Sequence, residues 1–202
     1  MNKVTRKHES EHNRIFKEAT DLIEYEIQLL ERPNTMKPNS LVRFKLQHAL
    51  SLFERVLQLN PDNWSAMWAV GKIHQRFGDS TTAFSWFERA YQVNPSQPSI
   101  AREASISAMD IGNHDAAIIF GHRATQIEPA CADLHANLAL AFLHANRITE
   151  AQASIERSLS IEPSDAVSQS IRTIIQAFAS NGHKPPTTPS ALDDYLRTNR
   201  VT

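Results

Sequence analysis

Apolar and small side chains recur along the chain at a fixed spacing, and a proline ends each recurrence. The four prolines are 34 residues apart, and each is preceded by an apolar residue two places earlier and an alanine twelve places earlier. A fixed period of about 20 to 50 residues is typical of repeat proteins, in which every repeat is one supersecondary unit. The prolines and alanines that set the period are Pro61, Pro95, Pro129 and Pro163, with Ala49, Ala83, Ala117 and Ala151.

Within each period the pattern predicts two helices joined by a tight turn. Gly78, Gly112 and Asn146 stand seventeen residues before the last three prolines, and these residue types tolerate the left-handed backbone that closes a helix. The position eight residues before each proline is large and apolar in three of the four units and a glycine in the third. Its occupants are Phe53, Phe87, Gly121 and Ile155.

This arrangement resembles the tetratricopeptide repeat. The 34-residue period, the alanine near the start of the second helix, the aromatic residue four places later and the terminal proline match that family's pattern. In the first helix the family favours Trp, Leu, Gly and Tyr at four positions, which the second unit fills with Met67, Val70, Gly71 and His74. The fourth unit is closer to this consensus, and the third has small residues at all four positions.

The resemblance implies an all-α fold, a right-handed superhelical solenoid of antiparallel helix pairs. It also implies three full repeats, at residues 64–97, 98–131 and 132–165. An interrupted repeat precedes them, with its second helix in residues 41–63.

The remaining segments are predicted to complete the two ends of the repeat array. Residues 1–40 combine a polar N-terminus, an amphipathic first helix at 11–30 and an insertion. Residues 166–180 are predicted to form the helix that caps the last apolar face. Residues 181–202 are a proline-rich linker followed by a short amphipathic segment at 191–198.

Composition and charge narrow the function classes. The chain has 202 residues, 41% of them apolar, and its 21 Lys and Arg face 22 Asp and Glu, so no overall positive charge attracts nucleic acid or an anionic membrane. The N-terminus lacks the apolar run of a secretory signal, and no stretch has the length of a membrane span. The single cysteine, Cys131, cannot form an internal disulfide, which favours a reducing compartment. We expect a cytoplasmic protein with no cofactor, bound metal, nucleic-acid partner or membrane insertion.

The resemblance also implies a function, because the first helices of such repeats line a concave groove that takes a peptide or a protein segment. The chain is therefore expected to be a non-enzymatic interaction module, a scaffold or adaptor. Positions that face the groove in the family are occupied by Ser65, Trp68, Lys72, Gln75 and Arg76 in the second unit, Arg102, Ile106 and Met109 in the third, and Asn137, Leu140, Leu143 and His144 in the fourth.

This lining is predicted to be basic at one end and apolar at the other. Lys72, Arg76 and Arg102 supply the charge, and the aliphatic residues of the third and fourth units make the other end apolar. A ligand with an acidic group and an apolar anchor would suit such a groove. Trp68 faces the groove by register and is a candidate for the kind of aromatic anchor that dominates binding energy.

Two specialisations of the family do not fit these positions. The clamp that grips chaperone C-termini uses lysines, asparagines and an arginine, whereas Trp68, Arg102, Glu103 and Ala136 stand at several of its positions. The asparagine ladder that holds a peptide backbone needs an asparagine in every unit, and only the fourth unit has one, Asn137.

A different function is suggested by the N-terminal motif. Residues His8 to His12 read His-Glu-Ser-Glu-His, which matches the zinc metalloprotease pattern of two histidines one helical turn apart and a glutamate that activates water. The motif lies in a highly polar stretch, and a third ligand would have to come from Glu18 or Glu24. A zinc-dependent hydrolase is therefore the enzymatic alternative to a binding module.

Two non-enzymatic alternatives remain. RNA recognition by the related pentatricopeptide architecture is disfavoured by the near-neutral charge and the strict 34-residue spacing. Self-association is the other, because solenoid ends and exposed second helices commonly pair. The proline-rich tether would also let residues 191–198 reach a neighbouring groove or their own, and we treat this segment as a hypothetical built-in occupant.

Overall fold

The computed structural model describes residues 3–30 and 38–199, with side chains at 9–24 and 38–198. Within those ranges the protein is all α-helical, with ten helices and no strand. The chain divides into two compact units, unit 1 (residues 1–94) and unit 2 (residues 95–202). The predicted all-α class is confirmed.

Unit 1 contains two pairs of helices. They are α1 (Lys3–Leu30), α2 (Ser40–Leu59), α3 (Trp64–Phe77) and α4 (Ser80–Val93), with α1 packed on α2 and α3 on α4. α1 begins at Lys3 rather than at residue 11, because no glycine or proline interrupts the polar segment before it. Most of the predicted insertion, residues 31–37, lies outside the described part of the chain.

The first pair of unit 1 is antiparallel. Glu11 near the start of α1 lies 3.4 Å from the Arg55 guanidinium near the end of α2, and the rings of Phe16 and Phe53 are 5.9 Å apart. This pair shares one core with α3. Its buried members include Ile15, Ala19, Ile23, Leu46, Ala49, Phe53, Val56, Val70 and Ile73.

Unit 2 contains two further pairs and two C-terminal helices. They are α5 (Pro98–Asp110), α6 (His114–Ile127), α7 (Ala132–His144), α8 (Ile148–Ile161), α9 (Ala166–Asn181) and α10 (Pro189–Asn199). α5 pairs with α6 and α7 with α8, while α9 packs on both α7 and α8. The first helices α5, α7 and α9 are consecutive neighbours, and α10 contacts α5.

The turns inside the helix pairs use left-handed backbone. The φ angles are 79° at Gly78, 72° at Gly112 and 57° at Asn146. The sequence predicted these three positions, because only glycine and asparagine adopt that conformation at low cost.

The repeat at residues 98–131 has Gly121 where others have a large apolar residue, and a neighbouring side chain fills the space. A Cβ at Gly121 would lie 3.0 Å from Leu138 Cδ1 and 3.3 Å from Ser105 Oγ, so the Leu138 side chain of α7 fills the space beside the glycine. Ser105 is buried and donates a hydrogen bond of 2.7 Å to the Ala117 carbonyl. Small residues on α5 and α6 therefore allow close contact of these helices.

Across residues 3–30 and 38–199, no helix combines the length and the apolarity that crossing a membrane requires.

Candidate functional site

In unit 1 the predicted groove residues form one stripe on α3. Ser65, Trp68, Lys72, Gln75 and Arg76 follow each other at spacings of one, three or four residues, which places them on one side of a helix. None of the five is fully exposed. They are therefore part of the packed surface of α3 rather than free side chains.

Trp68 combines partial burial with an unsatisfied donor. Its ring packs against the unit 1 core, and the Lys72 ammonium lies 5.8 Å from the ring centroid. The indole Nε1 is buried and makes no hydrogen bond to any described residue. A buried N–H without an acceptor is uncommon, because it loses its bond to water and gains none in return.

The basic residues of α3 are buried. Lys72 is 3% exposed and Arg76 is 9% exposed. Arg76 lies in the last turn of α3, where a positive charge is favourable beside the unpaired carbonyls of the helix end. Little of either side chain is open to solvent, and a basic end of the groove stays a prediction.

In unit 2 the predicted residues lie on α5 and α7, whose inward sides we call the α5–α7 face. Arg102 Nη2 lies 2.9 Å from Glu103 Oε1, and the Glu103 side chain is only 3% exposed. The charge on Arg102 is therefore largely neutralised by a buried carboxylate of its own helix. The sequence did not predict Glu103 as the partner of Arg102, because adjacent residues of a helix do not normally face each other.

The remaining predicted residues of unit 2 differ in burial. Ile106, Asn137 and Leu140 are partly exposed, whereas Met109 is 3% and Leu143 0% exposed. Leu143 consequently contributes to the packing of α7. The partly exposed residues keep surface on the α5–α7 face.

The C-terminal segment lies against this face. We call residues 183–199 the tail. His144 Nδ1 lies 2.8 Å from the Pro186 carbonyl oxygen, and His114 Nε2 lies 2.9 Å from the Thr187 carbonyl oxygen. A carbonyl oxygen only accepts, so each histidine donates a ring N–H to one of two consecutive carbonyls. Pro185, which lies between α9 and these two residues along the chain, is buried.

Burial determines the ionisation of His144. The residue is 2% exposed, and this loss of water lowers the pKa of His144 below its usual range. The hydrogen bond to Pro186 opposes the shift, and charge on His114 adds to it. Its Nε2 is buried and makes no hydrogen bond within the described part of the chain. The neutral ring with its proton on Nδ1 is therefore the form that suits the contact.

His144 was predicted from the family register, but His114 and the carbonyls of the tail were not. His114 is the first residue of α6, so no groove-facing position includes it. The only sequence signal was the cluster of Pro185, Pro186 and Pro189 after α9, which the hypothesis about residues 191–198 used as a tether.

His12 of the zinc motif is engaged inside unit 1. Asn63 Oδ1 accepts from the Ala66 amide at 2.9 Å, which fixes the amide group, and Asn63 Nδ2 then lies 3.0 Å from His12 Nε2. The amide nitrogen donates, so the lone pair of His12 Nε2 is occupied. The His8 side chain lies outside the described residues. Among the described residues, no three His, Cys, Asp or Glu side chains are grouped to bind a metal.

Comparison with protein families gives one match. The sequence model described as "Tetratricopeptide repeat" matches residues 45–99 and 102–166, more than half of the chain. No protein with a curated functional description matches the chain significantly.

Solved structures match the chain in fold. The crystal structure of MamA protein is 14% identical and covers 92% of this chain and 90% of that chain, with a TM-score of 0.67. The crystal structure of YrrB, described as a TPR protein with an unusual peptide-binding site, is 15% identical and covers 70% and 73%, with a TM-score of 0.62. The first TPR of Spaghetti (RPAP3), bound to the HSP90 peptide SRMEEVD, is 16% identical and covers 57% and 93%, with a TM-score of 0.54. At these identities the likeness concerns the fold alone.

Proposed function

Because this chain belongs to the tetratricopeptide repeat family, a family of protein–protein interaction modules, we propose that it binds a peptide or protein segment along its first helices. The observation that supports the proposal is the partly exposed surface of the α5–α7 face, which combines the apolar Ile106 and Leu140 with the amide of Asn137. Two of the similar structures, YrrB and the first TPR of Spaghetti, are described with a peptide-binding site and a bound peptide, respectively. The protein is a scaffold or adaptor in this proposal, acts in the cytoplasm and catalyses no reaction.

The chemistry of the α5–α7 face favours apolar and backbone contacts over charge. Arg102 is already paired with Glu103, so a ligand carboxylate would compete with a buried partner that is 2.9 Å away. Asn137 offers an amide that both donates and accepts, which suits the backbone of an extended peptide. The sequence predicted a ligand with an acidic group and an apolar anchor. The partly exposed residues of this face support the apolar anchor, and the acidic group remains a prediction.

The test is a matched pair of isoleucine variants. Peptides of about 15 residues are selected from a displayed random library against the intact chain, and the affinity of the best one is measured by calorimetry. Ile106→Glu places a charge on the α5–α7 face and is expected to weaken binding at least about tenfold, because a charge without a partner is costly to bury.

Ile119 supplies the control. It is 56% exposed on the second helix α6, so Ile119→Glu changes the same residue type outside the proposed surface. Its affinity should stay within about twofold of the unmodified chain. Equal loss in both variants, or loss only in Ile119→Glu, contradicts the proposed surface.

Unit 1 is tested with its tryptophans. Trp68 on α3 is the proposed anchor, and Trp86 on α4 also packs against the unit 1 core, with the Arg89 guanidinium 4.1 Å from its ring centroid. A peptide that uses Trp68 should lose about 2 kcal/mol, or about thirtyfold in affinity, in Trp68→Ala. Trp86→Ala should leave the affinity unchanged, and a loss confined to Trp86→Ala overturns the anchor assignment.

A further inference from the structure

We propose that His114, His144 and the adjoining α5–α7 face form a site for a proline-flanked peptide, and that the tail of the same chain occupies it until such a peptide displaces it. This inference rests on the proposed function, since it names the ligand class and the regulation of one of its surfaces. The hypothesis from the sequence placed residues 191–198 in the groove, whereas here the contact is made by the residues before them. The hydrogen bonds come from residues 186 and 187, ahead of the segment 191–198.

The two histidines recognise a backbone rather than particular side chains. They donate to the carbonyls of Pro186 and Thr187, over 2.8 and 2.9 Å, from the end of α7 and the start of α6. The chain is irregular at residue 186 and bends at residues 187–188, and outside a helix consecutive carbonyls point in different directions, so two donors from different helices can bind them together. Any segment that presents two such carbonyls in the same conformation satisfies both rings.

Proline selects for that conformation. A residue that precedes proline is restricted to extended backbone, which here applies to Lys184, Pro185 and Thr188, and the ring of Pro186 fixes its own φ, so the prolines limit the backbone on both sides of the two accepting carbonyls. A polyproline-type segment makes no internal hydrogen bonds, so its carbonyls are free to accept from a receptor. Pro185 is buried, which gives the site an apolar contact beside the two polar ones. The ligand class is therefore a short proline-containing segment with a small or apolar residue on each side of the contact.

On the C-terminal side of these contacts the tail continues as the helix α10. Thr188 Oγ1 accepts from the Ala191 amide at 3.3 Å and the Thr188 carbonyl accepts from Leu192 at 3.0 Å, which starts α10. Leu192 is 5% exposed, and the ring of Tyr195 lies 5.4 Å from that of Phe178 on α9. The tail thus binds through a polar contact at its prolines and an apolar contact at its helix.

The geometry is that of a displaceable segment. The docked tail leaves His144 Nε2 buried without a hydrogen-bond partner among the described residues, which weakens the docked state. Gly182 joins the tail to α9 with φ of 67°, and nothing lies within 4 Å of the position of a Cβ there. Glycine is also the residue whose backbone has the widest choice of conformations, so Gly182 is the position at which the tail can change direction.

Tethering sets the size of the effect. A segment on a short linker has an effective concentration of about 1 mM at its own site. A free peptide with an intrinsic dissociation constant of about 0.1 mM would then bind the intact chain about tenfold more weakly than a chain with an undocked tail.

The experiment uses a synthetic peptide with the sequence of residues 183–199, titrated into intact chains. Leu192→Asp undocks the tail by placing a charge at its buried helix contact, and it leaves both histidines in place. The peptide should bind this variant about tenfold more tightly than the unmodified chain. Tyr195→Ala, which removes the contact with Phe178, is a second undocking variant with the same expected direction.

Substitutions of His144 test whether the peptide binds through this residue. In the Leu192→Asp background, adding His144→Phe removes the donor and should abolish measurable binding. Adding His144→Asn keeps an N–H close to the position of Nδ1 and should restore part of the affinity. If both substitutions abolish peptide binding while the helix content by circular dichroism is unchanged, His144 has a packing role, and the proposed hydrogen bond to a ligand carbonyl is wrong.

Three results contradict the inference. Equal affinity of the peptide for the unmodified and Leu192→Asp chains means that the tail does not occupy the site. Absence of binding to every variant means that the site takes no free peptide of this class. A dimer in the unmodified chain that becomes a monomer in Leu192→Asp means that tails are exchanged between copies, against the intramolecular arrangement.

Failure of this inference is distinguishable from failure of the proposed function. Library peptides that bind the unmodified and Leu192→Asp chains equally and depend on Ile106 uphold the function and reject regulation by the tail. No library peptide on either chain rejects the function itself.

Discussion

Gly71 on α3 lies directly against the ring of Phe87 on α4. A Cβ at Gly71 would be 2.6 Å from Phe87 Cε1, closer than real Cβ atoms approach any carbon. The two helices of this repeat can therefore approach as they do only with glycine at position 71. The family pattern has glycine at position 71 and an aromatic residue at position 87, and this contact gives both preferences a steric reason.

Gly71→Ala is expected to destabilise the protein. The phenyl ring is fully buried, so the added methyl group forces the helices apart or the ring out of its rotamer, at a cost of about 1–3 kcal/mol. Urea unfolding followed by circular dichroism measures the change. Combining Gly71→Ala with Phe87→Leu should cost less than the sum of the single variants, because the smaller side chain makes room. Additive costs would show that the two residues do not interfere.

Gly121→Ala provides a contrasting prediction. Its Cβ would meet Leu138 Cδ1 at 3.0 Å and Ser105 Oγ at 3.3 Å, and both are ends of side chains that can shift. Alanine also raises helix propensity by about 1 kcal/mol over glycine. The net change should lie within about 1 kcal/mol of zero, well below that of Gly71→Ala. A cost as large as that of Gly71→Ala would mean that Leu138 cannot move.

Ser158→Ala is expected to cost about 1–3 kcal/mol, because it leaves buried polar groups without partners. Ser158 Oγ donates to the Ala132 carbonyl at 2.9 Å, so Ser168 must donate to Ser158 over the 2.8 Å between their hydroxyl oxygens. Adding Ser168→Ala should recover part of the loss, since one orphaned hydroxyl disappears. Ser160→Ala on the exposed side of α8 is the control, with no effect expected beyond about 0.5 kcal/mol.

Acidification is expected to release the tail. Burial holds the pKa of His144 below its ordinary 6.5, so the chain with its tail released, in which His144 meets water, binds more protons than the chain with its tail docked. The contribution of neutral His144 to docking is fully present above about pH 6.5 and is lost as the pH falls from there through the lowered pKa. Amide hydrogen exchange of residues 190–198, corrected for its intrinsic pH dependence, should speed up over this range. His144→Asn should remove the acceleration, and its persistence in that variant would assign the titration to another group.

The sequence predicted the parts of the fold that depend on a repeated steric requirement. The left-handed turns at Gly78, Gly112 and Asn146 are such parts, because few residue types allow them. It could not predict the burial of Lys72 or the pairing of Arg102 with Glu103, since these depend on where neighbouring side chains end in three dimensions. The contact of His144 with Pro186 joins residues 42 positions apart in an irregular segment, which no periodic pattern encodes.

The most direct test of the binding account is a map of amide chemical shifts on the intact 22.8 kDa chain as a selected peptide is added. Binding along the first helices predicts shift changes concentrated on α3, α5 and α7, and on residues 185–196 as the tail leaves. Changes confined to the second helices α4, α6 and α8, with the first helices unaffected, would contradict it.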